Sequence, residues 1–277
     1  MCTIDVYLNK IIEGDCLEVL QHFPPKSIDM ILCDLPYGTT HNRWDTTIDL
    51  DKLWVLYRGI IKNNGAIVLT AQGAFTALLI LSNLEWFRYK MVWIKSKATN
   101  FLNVKKQPLR KHEDICVFYK KQPTYNLQMG DGKPYDRGIR TGNTDSYRGF
   151  KPAHIKSFGG RYPLDVLFYD DEQIDDAVYF KSPQQEGHYH ATQKPIELGR
   201  YLVRKYTKPG EIVLDNACGS GSFLVSAILE GRQFIGIEKN EYLLHHKEND
   251  KDYIRICNER TTKALKQMKS FPNSLFP

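Results

Sequence analysis

The sequence predicts an α/β protein built on a doubly wound, mostly parallel β-sheet, with helices on both faces and a lobe inserted into the chain. Three observations predict this fold class. Apolar runs of strand length alternate with helix-like segments, a glycine-containing loop separates a buried strand from a helix near the C-terminus, and the alternation stops in the middle of the chain. With 277 residues, the chain is long enough for one large domain that carries an insertion.

The alternation extends over most of the chain. Each predicted strand is a short apolar run, and these runs are residues 28–32, 66–69, 91–94, 115–119, 212–214 and 234–237. The segments between them predict helices at 49–61, 74–84 and 194–206. Gly65 marks the turn into a strand. Strands that alternate with helices in this way are typical of a parallel sheet.

The pattern changes between about residues 120 and 190. Gly, Pro and Asp become frequent there, and aromatic residues alternate with Arg and Lys. A structureless loop of this length is unusual in a compact domain, so the sequence predicts a small lobe. We therefore divide the chain into two halves of one core, residues 1–120 and 191–277, and an inserted lobe at 121–190.

Positive charge is concentrated in the middle of the chain. The formal net charge is +6, yet residues 95–160 contain 14 basic and 5 acidic residues, a net of +9. Lys and Arg replace the counterions condensed on phosphates, so this distribution favours a nucleic acid partner over a merely solvated basic face. Four residues of this region are predicted to contact the groove and the phosphates: Arg137, Arg140, Arg148 and Lys151.

The composition disfavours several other classes of protein. No apolar stretch approaches the roughly 20 residues of a membrane-spanning helix, and the first residues do not resemble a secretory signal, so we expect a cytoplasmic protein without a membrane partner. Six cysteines are scattered without a CxxC pair, which favours reduced thiols. His188 and His190 have no third ligand near them in sequence, so no metal site is predicted.

A nucleotide-type site is predicted at residues 211–240. A buried strand ends in Asp215, a loop contains Gly219 and Gly221, a helix follows, and a second strand ends in Glu238. Glycine allows the backbone to approach a ligand closely, and a carboxylate at the end of the second strand can accept hydrogen bonds from ribose hydroxyls. The unit therefore resembles a cofactor site at the carboxyl edge of a sheet.

Three hypotheses fit this unit. A dinucleotide is disfavoured because the loop lacks the GxGxxG pattern, with Leu224 at the third glycine position. The carboxylate of Asp215 would repel a phosphate but suits the amino group of a methionine moiety, so S-adenosylmethionine is the favoured cofactor. A purely structural turn is the third alternative.

A second cluster lies in SIDMILCDLPYGTT, residues 27–40, where a strand brings Asp34 to its carboxyl end before a tight turn. DLPY resembles the D/N/S-P-P-Y/F/W motif of the DNA amino-methyltransferases. The order of motifs resembles the β group of that family, in which the catalytic motif precedes a target-recognition region and the glycine-rich cofactor motif comes last. The likeness spans nearly the whole chain and includes GDCLEVL at 14–20, RKHEDICVFYK at 110–120, HATQKP at 190–195, VLDNACGSGS at 213–222 and FIGIE at 234–238.

The resemblance implies a Rossmann-like methyltransferase core and a chemical role for the DLPY segment. An exocyclic amine is a poor nucleophile because its lone pair is delocalised into the ring, so an enzyme must favour a pyramidal nitrogen aligned with the sulfonium methyl group. In the family, an acidic side chain and the next carbonyl accept the amino hydrogens, which implies Asp34 and Leu35 here. Tyr37 would stack on a base flipped out of the duplex. Leu35 replaces the first proline of the family motif and loses some rigidity, whereas Pro36 matches the second.

The resemblance also implies contacts with the cofactor. Asp15 and Cys16 would lie near its adenine, with helix capping by Asp15 as the alternative. Thr192 and Lys194, in the TQKP-like segment, would border its methionine part, with a plain helix start as the alternative. The other predicted cofactor contacts are Asp34, Asp215, Cys218, Gly219, Ser220, Gly221, Ser222 and Glu238.

Two further segments are predicted to contact DNA. Asn42, Arg43 and Trp44 would close over the duplex or insert beside the flipped base, and a tryptophan buried in the core is an equal alternative. His112, next to Glu113, matches a family motif that lines the base pocket, and an exposed turn is its alternative.

The sequence thus favours an enzyme that transfers a methyl group from S-adenosylmethionine to N6 of adenine in duplex DNA. Asp34 favours adenine, although methylation of N4 of cytosine requires the same geometry. A catalytically silent DNA-binding protein with this fold and an RNA methyltransferase are alternatives of other kinds. The resemblance is compatible with a bacterial or phage-encoded protein and leaves open a homodimer and a cognate restriction endonuclease as partners.

Overall fold

An eight-stranded sheet is the centre of the protein in the computed structural model, which describes residues 3–38, 46–140, 151–167, 193–240 and 252–270. The strands in these ranges are β1 (Lys10–Glu13), β2 (Ile28–Cys33), β3 (Ile61–Ala71), β4 (Phe87–Thr99), β5 (Arg110–Phe118), β6 (Gly130–Asp131), β7 (Tyr135–Arg140), β8 (Ala153–Ser157), β9 (Gly160–Arg161), β10 (Val166–Leu167), β11 (Ile212–Asp215) and β12 (Gln233–Glu238). The α-helices are α1 (Cys16–Val19), α2 (Leu50–Ile60), α3 (Ala74–Ser82), α4 (Ile196–Tyr206), α5 (Ser222–Leu229) and α6 (Tyr253–Ser270).

The strand order of the large sheet is β1-β12-β11-β2-β3-β5-β4-β10. Every pairing is parallel except the two that β5 makes with β3 and β4. The connection from β4 to β5, residues 100–109, contains no crossover helix, and a connection of this length joins antiparallel strands. The predicted mostly parallel α/β sheet is therefore confirmed.

The central strands are buried on both faces, and their residues alternate between two cores. Met30 and Leu32 of β2 pack in a core that includes residues of α4, α5 and α6. Ile31 and Cys33 of the same strand pack in the opposite core, which includes residues of α1, α2 and α3. Helices thus cover both faces of the sheet, as a doubly wound fold requires.

Helix boundaries follow local capping. Asp49 caps α2 by accepting a hydrogen bond from the Lys52 N–H at 3.1 Å. Pro195 directly precedes α4, so the predicted helix at 194–206 begins two residues later than expected. The sequence analysis did not predict α6. In the parts of the chain that the structure describes, no helix has the length and apolar character needed to cross a membrane.

The described part of the middle region forms two small sheets, β6 with β9 and β7 with β8. It also contacts the core at both ends. The side chain of Asn126 donates hydrogen bonds to the carbonyls of Arg204 and Thr207 at the end of α4. β10, at the other end, adds to the large sheet beside β4.

Lys205 of α4 is buried among tyrosines, with 2% of its surface exposed. Its ammonium group lies 4.7 Å from the ring centroids of both Tyr125 and Tyr201, and it donates a hydrogen bond to the Tyr125 hydroxyl at 3.4 Å. Burial lowers the pKa of Lys205 to about 8. Folding therefore favours the neutral amine, because the charged form loses its hydration.

Lys205 is expected to add a rise with pH to the free energy of unfolding between about 8 and the ordinary lysine pKa of 10.5, since only the unfolded chain keeps the lysine proton in that window. Buried thiols such as Cys16, whose pKa is raised to about 11, act in the opposite direction, so the effect of Lys205 is measured as a difference between variants. A tenfold change in proton affinity corresponds to about 1.4 kcal/mol, so the contribution of Lys205 is a few kcal/mol. Urea denaturation across this range should give the wild type and Lys208→Met, an exposed control, the same dependence of the free energy of unfolding on pH. Lys205→Met lacks the lysine contribution, so its free energy of unfolding should fall relative to the wild type by a few kcal/mol as the pH rises through this window. A difference between the two proteins that does not change with pH would contradict the prediction.

Candidate active site

The carboxyl edge of the sheet brings the two predicted clusters together. β2 and β11 are parallel neighbours, with Leu214 opposite Ile31. Asp34, directly after β2, and the glycine-containing loop after β11 therefore emerge at the same edge. β12, which ends in Glu238, lies on the other side of β11. Two loops that are distant along the chain are thus neighbours in the fold, in agreement with the sequence analysis.

Three side chains donate hydrogen bonds to the Asp34 carboxylate. The Tyr37 hydroxyl donates to Oδ1 at 2.8 Å, and the Thr70 hydroxyl, near the end of β3, donates to the same oxygen. Lys194 Nζ donates to Oδ2 at 2.6 Å. A carboxylate offers about four lone-pair sites, so these donors fix its orientation and leave capacity for one more.

A second carboxylate, Glu113 of β5, extends this group of charges. Its two oxygens each lie 3.2 Å from a lysine, Oε2 from Lys194 Nζ and Oε1 from Lys95 Nζ. Burial lowers the pKa of Lys194, but the charges of Asp34 and Glu113 outweigh this effect and raise the pKa above its ordinary value. Lys194, only 6% exposed, is therefore a stable ammonium. We call Asp34, Glu113, Lys194 and Lys95 the charge network; its formal charge is zero.

The other DLPY residues follow Asp34 in the turn after β2, and Tyr37 contacts the charge network. The Tyr37 ring stacks on Phe75 of α3, with 5.1 Å between centroids and 27° between planes. Burial and the neighbouring carboxylates raise the pKa of Tyr37, so its hydroxyl stays a donor. Leu35 is buried in the core that contains α2 and α3, and Pro36 is half-buried.

The glycine-containing loop is tied to the end of β12. The N–H of Gly219 donates to Glu238 Oε2 at 2.6 Å, and the N–H of Cys218 donates to the Ile237 carbonyl at 3.0 Å. Gly219 and Gly221 have positive φ angles of 49° and 78°. Glycine adopts this left-handed conformation without steric cost. Burial raises the pKa of Asp215, just before the loop, to about 8.

Helix α6 packs against the glycine-containing loop and holds it through side-chain contacts. Arg260 Nη1 donates to the Ser220 carbonyl at 2.5 Å, to the Ser220 hydroxyl at 2.9 Å and to the Ser222 hydroxyl at 3.3 Å. Cys257 Sγ lies 3.9 Å from Cys218 Sγ. The loop residues are thus held between β12 and α6.

Asp15 and Cys16 lie at the same edge of the sheet, because β1 runs parallel to β12 with Glu13 opposite Glu238. The Asp15 carboxylate caps α1 by accepting a hydrogen bond from the Leu17 N–H at 2.8 Å, which was the structural alternative for this residue. Cys16 is buried, and burial raises the pKa of its thiol to about 11.

The candidate DNA-binding residues that the structure describes are exposed on the surface. His112 is exposed, whereas its neighbour Glu113 belongs to the charge network, since successive strand residues point to opposite faces. Arg137 and Arg140 of β7 are exposed, as is Lys151 before β8. The predicted residues Asn42, Arg43, Trp44, Arg148 and Thr192 lie outside the described residues.

Sequence reasoning missed several residues of this site. Thr70 had a weak signal, as a polar residue in a buried apolar run that ends at the carboxyl edge. Lys95 and Arg260 had none, because their partners are distant in sequence. Lys194 was predicted to border the cofactor, and no sequence pattern indicated that its ammonium pairs with Asp34 and Glu113.

Comparison with known families shows which family the chain belongs to. A model of the DNA methylase family matches residues 28–249. The chain belongs to this family. It is therefore a DNA methyltransferase, as the sequence resemblance implied.

Two curated relatives of this methylase are similar over most of their length. Type II methyltransferase M.HinfI of Haemophilus influenzae is 24% identical, over 98% of this chain and 72% of that protein. DNA adenine methyltransferase YhdJ of Escherichia coli K12 is 26% identical, over 84% of this chain and 79% of that protein.

Solved structures show that the methylase shares its fold with other DNA methyltransferases. The M1.HpyAVI complex with S-adenosylmethionine has a TM-score of 0.57 and 20% identity, covering 91% of this chain and 98% of that one. The cytosine-N4-specific PvuII DNA methyltransferase has a TM-score of 0.56 and 16% identity, covering 92% of each chain.

Substitution of Gly221 should test how tightly the loop is held. A Cβ at Gly221 would overlap Cys257 Sγ and force an alanine to adopt φ +78°. Gly210 is a matched control, since it has φ +82° but a Cβ there would meet no atom within 4 Å. Gly210→Ala is expected to cost about 1–2 kcal/mol for the left-handed backbone, and Gly221→Ala roughly 1–3 kcal/mol more for the overlap.

Denaturation in urea measures both costs. In a Cys257→Ala background the overlap is relieved, so Gly221→Ala should then cost no more than Gly210→Ala. An unchanged cost in that background would show that Cys257 does not confine the loop.

Proposed function

We propose that this methylase transfers a methyl group from S-adenosylmethionine to N6 of adenine in duplex DNA. The observation that carries the proposal is the Asp34 carboxylate, which is oriented by three donors at the same sheet edge as the glycine-containing loop. S-adenosylmethionine is the methyl donor, and when bound it supplies an electrophilic methyl group on a sulfonium.

The residues of the loop fit this cofactor. Gly219 and Gly221 adopt left-handed conformations in this loop, and Gly221 lies so close to Cys257 that there is no room for a Cβ. Glu238 presents a carboxylate at the end of β12, suited to ribose hydroxyls. Asp215 is a buried carboxyl whose raised pKa of about 8 reflects lost hydration, so a cationic amino group nearby would stabilise its ionised form.

Asp34 and the Leu35 carbonyl accept the two hydrogens of the target amine. These contacts favour a pyramidal nitrogen whose lone pair points at the methyl group. Tyr37 stacks on the extruded base, which must leave the helix to reach a site at the sheet edge. Leu35 takes part through its backbone, so replacement of the family's proline keeps the acceptor.

Adenine is favoured over cytosine by two observations. Asp34 occupies the first position of the DLPY motif, and YhdJ, similar over 84% of this chain, is named an adenine methyltransferase. The structural likeness to the cytosine-N4-specific PvuII enzyme makes N4 of cytosine the second candidate. The product nucleoside distinguishes them.

Methylated duplex DNA should be digested to nucleosides and analysed by mass spectrometry, with N6-methyladenine as the expected product. Asp34→Ala is expected to lower the rate by roughly 10²–10³-fold or more, because it removes a preorganised acceptor, while calorimetry still detects cofactor binding. Asp51→Ala, an exposed carboxylate on α2, is the control. N4-methylcytosine as product would exclude adenine specificity, and near-normal activity of Asp34→Ala would exclude this catalytic site.

We further propose that Lys194 is a positioning residue for Asp34 and does not bind the cofactor directly. Its ammonium donates to Asp34 Oδ2 at 2.6 Å and lies 3.2 Å from Glu113, so it holds one carboxylate against the other. Without this cation, two partly buried carboxylates would face each other. Asp34 would then turn away from the position in which it accepts the amine.

Lys194→Met is expected to lower kcat roughly 100-fold, the usual scale for misplacing a reacting group by about 1 Å, with little change in KM for S-adenosylmethionine. Lys194→Arg keeps the cation and should retain part of the rate. The double variant Lys194→Met/Glu113→Gln removes the carboxylate repulsion and serves as the folding control. A large rise in KM for the cofactor with unchanged kcat would contradict the positioning role and support a direct contact between Lys194 and the cofactor, as predicted from sequence.

A further inference from the structure

Residues 95–112 form a basic hairpin at the edge of the sheet that carries the active site. The hairpin consists of the end of β4, the connecting residues 100–109 and the start of β5. β4 runs in the direction of β2 and β5 in the opposite direction, so the connection lies at the carboxyl edge, beyond which Asp34 also lies. The basic hairpin and the catalytic carboxylate therefore point to the same side of the protein.

The charge of the basic hairpin has one sign. Its 18 residues contain six basic side chains and no acidic one. Five of the six are exposed, and four of these lie on or beside the connection: Lys105, Lys106, Arg110 and Lys111. Such a run suits a polyanion, since each Lys or Arg near a phosphate releases condensed counterions.

The tip of the basic hairpin is apolar. Phe101 and Leu102 are 73% and 85% exposed, and Val104 beside them is also exposed. Water-exposed aromatic and aliphatic side chains surrounded by cations are typical of a recognition surface. In DNA-bending and base-flipping proteins, apolar wedges of this kind enter the base stack between cationic contacts to the backbone.

The tip is held in a defined shape. Asn100 adopts a left-handed conformation, with φ 72°, and accepts a hydrogen bond from Asn103 Nδ2 at 2.7 Å. Residues Phe101–Asn103 form a turn of 3-10 helix. The exposed side chains therefore stand on an ordered turn, which lowers the entropic cost of inserting them.

The base of the hairpin is joined to the charge network. Lys95 lies 3.2 Å from Glu113, whose other oxygen faces Lys194. Gln72, directly after β3, donates to the His112 carbonyl at 2.7 Å. The hairpin thus begins and ends on residues within a few contacts of Asp34.

We propose that the basic hairpin binds duplex DNA, with its cationic side chains on the phosphates and the Phe101–Leu102 tip inserted into the stack where the target base has left it. This inference rests on the proposed function, because it assigns the element that extrudes the base to the active site. Apolar side chains that fill the vacated space offset part of the cost of unstacking.

A second copy of the chain is the other occupant to consider for an exposed apolar tip. Two basic hairpins brought together would place up to twelve cations against each other, counting six from each copy, with no acidic residue in either. Like charges at an interface oppose association, whereas DNA supplies the complementary charge. The charge pattern therefore favours DNA.

The test first locates the methylated site by single-molecule sequencing of DNA from cells that express the full chain. A duplex with this site, and the same duplex with a mismatch at the target base, then serve as substrates. Phe101→Ser/Leu102→Ser is compared with Leu81→Ser/Leu84→Ser, which removes two exposed leucines at the end of α3 and before β4. If the wild type methylates no DNA, the proposed function fails, and the variants are not needed for that conclusion.

The tip variant is expected to methylate the paired duplex about tenfold more slowly or worse, and the mismatch should restore most of its rate, because a mismatched base costs less to extrude. The α3 variant should match the wild type on both substrates. An equal loss on paired and mismatched DNA, or no loss, would overturn the insertion of the tip.

The salt dependence of DNA binding tests the phosphate contacts separately. Lys105→Gln/Lys106→Gln should lower the slope of log binding constant against log salt concentration by about 2, while the tip variant keeps the wild-type slope. An unchanged slope in the lysine variant would overturn contact with the backbone. Sedimentation that shows a wild-type dimer and a monomeric tip variant would identify the tip as a subunit interface and overturn the proposal.

Discussion

The ion pair between Lys194 and Asp34 is the interaction on which the rest of the site depends. The two residues are 160 positions apart, and the pair joins the segment that enters α4 to the turn that follows β2. Because both groups are largely removed from water, the pair is stable only while further partners satisfy them. Glu113, Thr70 and Tyr37 provide these partners, so the orientation of the carboxylate is determined by side chains from several separate segments of the chain.

The parallel sheet explains how distant segments come to share one site. Strands that run in one direction bring all their carboxyl ends to one edge, so catalytic and cofactor motifs meet whatever their separation in sequence. For this reason, the fold class and the proximity of Asp34 to the glycine-containing loop could be predicted from apolar runs and short motifs. Successive residues of a strand point to opposite faces of the sheet, so Glu113 and His112 must face opposite ways, although the sequence alone does not say which of them faces inward.

Other features could not be predicted, because they depend on contacts between elements that are distant in sequence. Lys194 stands in a segment with a cofactor-like motif, but its length and charge allow it to reach two carboxylates that arrive from β2 and β5. Helix α6 supports the glycine-containing loop through Arg260, and no local pattern links residue 260 to residue 220. The reversed direction of β5 follows from the short connection before it, which only becomes informative once the full extent of β4 and β5 is known.

The distribution of charge separates the two tasks of the protein. Inside the site, the charges of two lysines and two carboxylates cancel, so the role proposed for Asp34, as acceptor for a neutral amine, needs no net charge that would attract phosphate. Outside it, the basic hairpin carries cations alone and can attract the DNA backbone over a distance limited by salt screening. Lys95 belongs to both, since it extends from the hairpin to Glu113. If DNA binding displaces the hairpin, the Lys95 charge that faces Glu113 moves with it. Because Glu113 and Asp34 share Lys194, this displacement would also change the surroundings of Asp34, the carboxylate proposed to orient the amine.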